Sequence, residues 1–324
     1  MRKIFYVEAL REALREEMER DPNVFLLGED IGPFGGVFKV TEGLYKKFDS
    51  ERVRQTPISE AAIIGIGLGA AIVGMRPICE LMFIDFLPLA GDQIFNQVAK
   101  IRYMTGGQAK VPLVIRTNIG AGRSAAAQHS QSIHAWACHI PGIKVVLPSN
   151  PYDAKGLLKT AIRDDNPVLF LEHKFLYKIK GEVPEEEYTI PLGKASIKTE
   201  GKDVTVVAIS SLVSKAINVS KKLSVEGISV EVIDPRTLIP YDRDTITNSV
   251  KKTGHLVVAD EGHINCGICS EIAMKVIEDA FYYLETPIRR VAAPNVPIPF
   301  CPSLEKLCIP AEENIEKAIR SSLK

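Results

Sequence analysis

At 324 residues the chain exceeds the ~250–300 at which one hydrophobic core stops growing, which predicts two domains. The composition is that of an ordinary globular protein, 46% hydrophobic and 25% charged, with 40 basic residues against 40 acidic ones. That balance argues against a general nucleic-acid binder, which carries a basic excess, and lowers the barrier to self-association.

No apolar run approaches the ~18–20 residues needed to span a bilayer. Residues 4–20 have Val7, Leu10, Leu14 and Met18 at helical spacing, with Arg and Glu opposite. This is an amphipathic helix and not an apolar signal core, so the chain reads as soluble, cytoplasmic and free of membrane. Short apolar runs at 24–28, 111–116, 143–147 and 168–171 lack polar alternation, as expected of strands covered on both faces. Residues 152–163 predict a helix burying Ala154, Leu157, Leu158, Ala161 and Ile162. Residues 174–203, with Pro184, Pro191 and three consecutive glutamates, suit a connector.

Strand–helix units then resume. Strands are predicted at 204–210, 228–234 and 255–261, and helices from about Ser270 and over about 311–322. Strands alternating with helices give an α/β fold of two domains, each a mainly parallel sheet flanked by helices. The boundaries are residues 1–190, a linker at 191–203, and residues 204–324.

The cluster Gly65-Ile66-Gly67-Leu68-Gly69 invites a dinucleotide-binding reading and hence an NAD-dependent oxidoreductase. That fingerprint needs a strand running into its first glycine. Here Thr56-Pro57-Ile58-Ser59-Glu60 precedes it, a loop and then a helix start, so the glycines fall inside the helix and favour close packing. Glu60 sits in the first turn, where the helix dipole favours a carboxylate. Ala61 to Val73 carry no charge, so the helix is expected to be buried. Burial disfavours the ionised form of a carboxylate and suits it to proton transfer.

The segment from Gly120 to Ser132 follows an apolar strand and holds almost nothing bulky, which lets backbone approach a ligand at the strand's carboxyl end. His129 is its chief proton-transfer group, beside Arg123. His134 and His139 are expected to cap or pack around Trp136. Six cysteines in such a chain read as reduced core thiols. Cys266 and Cys269 form a C-x-x-C, read as two small core residues at a helix start, with a redox or zinc role as the alternative.

Several motifs follow one another along essentially the whole chain: Gly28-Glu29-Asp30, Thr56-Pro57-Ile58-Ser59-Glu60, Arg76-Pro77-Ile78-Cys79-Glu80, Asp92-Gln93 and Gln128-His129-Ser130-Gln131-Ser132. Pro141-Gly142-Ile143-Lys144-Val145-Val146, Asp234-Pro235-Arg236-Thr237-Leu238 and Val296-Pro297-Ile298-Pro299 complete the set. Taken in this order they resemble one family, the beta subunit of the decarboxylating first component of 2-oxo acid and acetoin dehydrogenase complexes.

The resemblance implies a thiamine diphosphate enzyme whose first domain binds the pyrimidine ring and whose second is like the transketolase C-terminal domain. Glu60 would hydrogen-bond the pyrimidine nitrogen and promote the proton exchange that activates the cofactor. Glu29, Ile58, Met82 and Phe86 would line that pocket, Phe86 packing on the ring. His129 would steady substrate charge or assist acyl transfer to lipoamide. Leu113, Ala161, Ile162, Asp164 and Asn166 would form a potassium site, four of them at a helix end whose free carbonyls suit a cation.

Thiamine diphosphate enzymes anchor the diphosphate through magnesium with a Gly-Asp-Gly motif, and none occurs here; Gly91-Asp92-Gln93 is the nearest approach. In the family that motif belongs to an alpha subunit. The resemblance therefore implies an α2β2 heterotetramer with magnesium held mainly by the alpha subunit. It also implies a beta–beta contact and docking to a lipoyl-bearing acyltransferase core. The substrate is pyruvate, a branched-chain 2-oxo acid or acetoin, and the small residues of 120–127 lean towards acetoin. A dimerising, docking scaffold without chemistry is the non-catalytic alternative.

Overall fold

Unbroken apolar strands need cover on both faces. In the computed structural model, which describes residues 1–324, Val24–Gly28, Val114–Ile119 and Val168–His173 are buried along their whole length. They belong to the first of two units, Met1–Ile119 with Trp136–Leu192; the second is Gly120–Ala135 with Gly193–Lys324. No helix is long and apolar enough to cross a membrane.

The first unit carries strands β1 (Val24–Gly28), β2 (Val53–Gln55), β3 (Arg76–Glu80), β4 (Val114–Ile119), β5 (Lys144–Val146) and β6 (Val168–His173). They lie in the order β5-β6-β4-β3-β1-β2, and every pair is parallel. The carboxyl ends therefore share one edge, where sheets of this type bind ligands. β2 and β3 are not apolar runs: two residues of β2 are exposed and β3 is bounded by Arg76 and Glu80, so hydrophobicity alone does not find them.

Helix α1 (Tyr6–Arg20) begins two residues later than its apolar spacing suggests, because Arg2–Phe5 pairs antiparallel with Lys180–Val183. The carboxylate of Glu8 accepts from the Phe5 N–H at 2.7 Å and starts the helix. Helix α2 spans Glu60–Ile72. Helix α3 (Pro151–Arg163) has Asn150 as its cap, accepting from the Asp153 N–H at 2.9 Å, and Pro151 in its first turn. α1 and α3 share a core of Leu10, Leu14, Met18, Leu157, Leu158 and Ile162. A buried ionic layer lies between them. Lys155 donates to Glu16 at 2.7 Å and to Glu12 at 3.2 Å, and Arg163 grips both oxygens of Glu17 at 2.6 and 2.9 Å.

In the second unit, β7 (Ser196–Thr199), β8 (Val204–Ala208), β9 (Val230–Asp234), β10 (Leu256–His263) and β11 (Arg289–Ala293) are ordered β11-β10-β8-β9-β7, with only β7 antiparallel to its neighbour. Helices α4 (Leu212–Ser224), α5 (Arg243–Thr253), α6 (Ile268–Ala280), α7 (Pro302–Cys308) and α8 (Glu312–Ser322) surround it. Val206, Val232, Val257, Leu212, Ile315 and Ile319 form its core.

The stretch 174–203, read as a connector, is instead largely used. It supplies the Lys180–Val183 partner of the first strand and the edge strand β7. Both are short, partly exposed edge elements, and such strands need no continuous apolar run.

Candidate active site

α2 places the first candidate. Its cap Ser59 has an extended backbone and no capping side chain, while the Ile63 N–H closes the first turn on the Ser59 carbonyl at 2.9 Å. Glu60 is the first helical residue and only 7% exposed. Its carboxylate makes no hydrogen bond or ion pair within the chain. A carboxylate left unpartnered on a buried residue at a helix amino end is positioned for a donor from outside.

The helix is not buried all round, contrary to the expectation from its uncharged sequence. Ile63, Ile64, Gly67, Leu68 and Ala71 face inwards, but Ile66 is 55% exposed and Ile72 43%. Of the three glycines, Gly67 is the one packing requires: a Cβ there would lie 2.3 Å from Cys79 Sγ on β3. All three glycines lie inside the helix, but the close-packing reading holds for Gly67 alone, since nothing lies within 4 Å of a Cβ at Gly69 and only Gln93 at 3.8 Å from one at Gly65.

Glu29 follows the carboxyl end of β1. Burial pushes its carboxyl above the usual range, and the negative charges of Glu60, Asp30 and Glu80 push it further. The structure thus brings Glu29 and Glu60 into one electrostatic neighbourhood. Met82 and Phe86 follow β3; the Met82 carbonyl accepts from the Asn118 amide on β4. Phe86 is partly buried and stands edge-on to Phe83, with ring centroids 5.7 Å apart. Ile58, on the loop before α2, is 81% exposed. All five pocket candidates therefore belong to the first unit, on segments that follow β1, β2 and β3.

Beneath them lies a group that sequence reading missed. Glu80 and Arg116 are paired in register on β3 and β4. The Arg116 guanidinium donates to Glu80 at 2.6 Å and with two nitrogens to Glu172 at 2.7 and 2.9 Å. Tyr177 donates to the same Glu172 at 2.8 Å. Burial raises the Glu172 carboxyl above its usual range, although Arg116 opposes this. The available signal was a charge inside each of three strands, which only their pairing brings together.

His129 belongs to the second unit, within Gly120–Ala135. It is partly buried, and its N–H reaches the Ala126 carbonyl at 3.5 Å. Trp136 is 54% exposed, whereas His134 is buried. His134 Nε2 lies 2.9 Å from Asp260 Oδ2, both side chains being buried. Burial disfavours the imidazolium, but Asp260 more than offsets it, and His134 titrates above the ordinary range. His139 is exposed.

The five cation candidates surround the carboxyl end of α3. Arg76 donates to the Ile162 carbonyl at 2.8 Å and to the Asp164 carbonyl at 2.8 Å, while Lys144 pairs with the Asp164 carboxylate. The Leu113 carbonyl accepts from the Val168 N–H at 2.9 Å and the Ala161 carbonyl from the Asp164 N–H at 3.3 Å. Asn166 donates from its N–H and its amide to Asp164, each at 2.9 Å. Of the C-x-x-C pair, Cys269 is buried in α6 with its thiol pushed well up by burial. Cys266 is exposed, so the reading as two core residues holds for one of them.

Residues 2–180 match the pyrimidine-binding domain of transketolase and residues 193–315 the transketolase C-terminal domain. The chain is 50% identical to the acetoin:2,6-dichlorophenolindophenol oxidoreductase subunit beta of Cupriavidus necator, over 100% of this chain and 98% of that one. It is 46% identical to the 2-oxoisovalerate dehydrogenase subunit beta of Bacillus subtilis, over 97% of each. Among solved structures, a split-gene transketolase described as an inactive beta4 tetramer aligns with a TM-score of 0.80 and 25% identity, over 99% of this chain and 98% of that one.

Proposed function

The chain belongs to the transketolase-like family of thiamine-dependent 2-oxo acid and acetoin dehydrogenase beta subunits, and from that premise we propose that Glu60 is the acid through which it activates the cofactor. The observation that carries this is the carboxylate of a residue only 7% exposed, at a helix amino end, with no partner inside the chain. Such a group fits a basic ring nitrogen arriving from outside.

When bound, thiamine diphosphate supplies the nucleophilic carbon and the electron sink for cleavage next to a carbonyl. Glu60 holds the proton at the ring nitrogen. Glu29, whose carboxyl is raised by burial and by the neighbouring charge of Glu60, adds negative charge beside it. Phe86 and Met82 give the ring an apolar wall, and exposed Ile58 covers it from the loop. His129 steadies substrate charge and assists transfer of the acyl group to lipoamide.

The diphosphate and its magnesium are held by an alpha subunit in an α2β2 assembly, because no Gly-Asp-Gly is present in this chain. The second unit provides the beta–beta contact and the docking face for the lipoyl-bearing core. Potassium binds through Leu113, Ala161, Ile162, Asp164 and Asn166. Carbonyls there that already accept one hydrogen bond retain a second lone pair for the ion. The substrate is acetoin or a small 2-oxo acid.

The test is Glu60→Gln in the reconstituted alpha–beta pair, assayed on acetoin, pyruvate and a branched-chain 2-oxo acid. Loss of a positioned general acid lowers turnover by about a hundredfold or more. Turnover equal to the unsubstituted pair would reject the role.

A further inference from the structure

The segment carrying His129 has little with which to hold itself. From Gly120 to Ala127 it offers small side chains apart from Arg123. Its backbone is also unusual: Gly120 and Gly122 have φ of 102° and 97°, and the non-glycine residues Ser124 and Ala126 have 52° and 61°. L residues keep such conformations where their surroundings impose them.

Two buried carboxylates of the same unit hold this backbone from Ala121 to Ser124. Glu305, 3% exposed in the first turn of α7, accepts the Gly122 N–H at 2.7 Å on one oxygen and the Ser124 N–H at 3.0 Å on the other. Glu261, 8% exposed near the end of β10, accepts the Ala121 N–H at 2.7 Å. No Lys, Arg or His pairs with Glu305, so its charge is met by loop backbone. Hydrogen bonds to an ionised acceptor are the stronger kind. Ala121 packs in one apolar cluster with Ile298, Cys308 and Ile309.

We propose that Glu305, with Glu261 beside it, is a positioning residue for the reaction. It fixes the backbone of the loop that carries His129, and through that main chain the imidazole assigned to acyl transfer. This rests on the assignment of His129 to that step.

The test is Glu305→Gln in the reconstituted alpha–beta pair. Glutamine keeps the shape but presents one acceptor where the loop offers two donors. Hydrogen exchange at Gly122 and Ser124 is expected to quicken about tenfold or more. Thiamine diphosphate affinity stays within about twofold, while kcat for acyl transfer falls about tenfold. Glu305→Asp, which retains two acceptors, recovers part of both.

The deciding readout is the double variant with His129→Ala. If Glu305 acts through His129, adding Glu305→Gln slows the His129→Ala enzyme no further. Two defects that multiply, or a loosened loop with unchanged kcat, would overturn the positioning role alone. His129→Ala turning over at the unsubstituted rate would reject the His129 assignment and this proposal with it, leaving Glu60 and the thiamine reading intact.

Discussion

Arg116 grips both oxygens of Glu172 at 2.7 and 2.9 Å, with the pair almost wholly out of water. The same guanidinium reaches Glu80 at 2.6 Å, and Glu80 adds its charge to the field at Glu29. Arg116→Met leaves Glu172 buried without its cation, which costs about 3–5 kcal/mol. Arg116→Lys keeps the charge but not the fork that serves two carboxylates, so it too destabilises. Chemical denaturation of the purified chain checks both; stability unchanged in Arg116→Met would reject the pairing as a stabilising element.

How much of this was legible varied with the kind of signal. Val24–Gly28 and Val168–His173 are buried strands in apolar sequence, and Pro151–Arg163 a capped helix; periodicity found them. β3 was hidden because its ends are Arg76 and Glu80, whose charges are met by the carboxyl end of α3 and by Arg116. No local pattern reports such long-range partners. Glu60 could be picked out from its place before an uncharged helix. The exposed side of that helix could not, since the same uncharged sequence suits a buried core or a face left for another chain. Arg116 and Glu172 looked like isolated charges until strand register joined them.

Gly67 gives a separate check on how α2 seats against β3. A Cβ at this position would fall 2.3 Å from Cys79 Sγ and 3.2 Å from Leu113 Cδ1. Alanine would improve helix propensity by up to about 1 kcal/mol, but overpacking costs about 1–3 kcal/mol. Net destabilisation is expected for Gly67→Ala. Cys79→Gly in the same chain should restore much of it by removing the obstructing sulfur. A thermal-melt double-mutant cycle measures this, and simple additivity would rule out the contact as the cause.

His134 and Asp260 predict a pH dependence of known sign. The folded imidazole titrates above its ordinary value, with burial working against the shift and Asp260 producing it. Its stabilisation is therefore complete below the unfolded value of about 6.5 and is lost as pH rises through the folded value. The stability gap between the unsubstituted chain and Asp260→Asn should be widest near pH 6 and narrow on going alkaline. Denaturant midpoints taken from about pH 6 to 9 provide the curve. A gap that is flat or widens with pH would contradict the pairing.

Potassium can be tested without turnover. Arg76 and Lys144 already bring positive charge to the end of α3, so an added ion there must gain more from the carbonyls than it loses to those neighbours. If Leu113, Ala161, Ile162, Asp164 and Asn166 close around it, binding occurs in the folded chain only and raises stability by mass action. The gain is about 2.7 kcal/mol when the ion is at a hundred times its dissociation constant. Melting in potassium chloride should therefore exceed melting in sodium chloride at equal ionic strength, because general screening is the same in both. Asp164→Ala, which keeps the carbonyl but removes the carboxylate charge and leaves Lys144 unpaired, should reduce the difference, while Asp92→Ala, at the start of a separate helical turn, should leave it. Identical melting curves in the two salts would exclude a selective potassium site at this helix end.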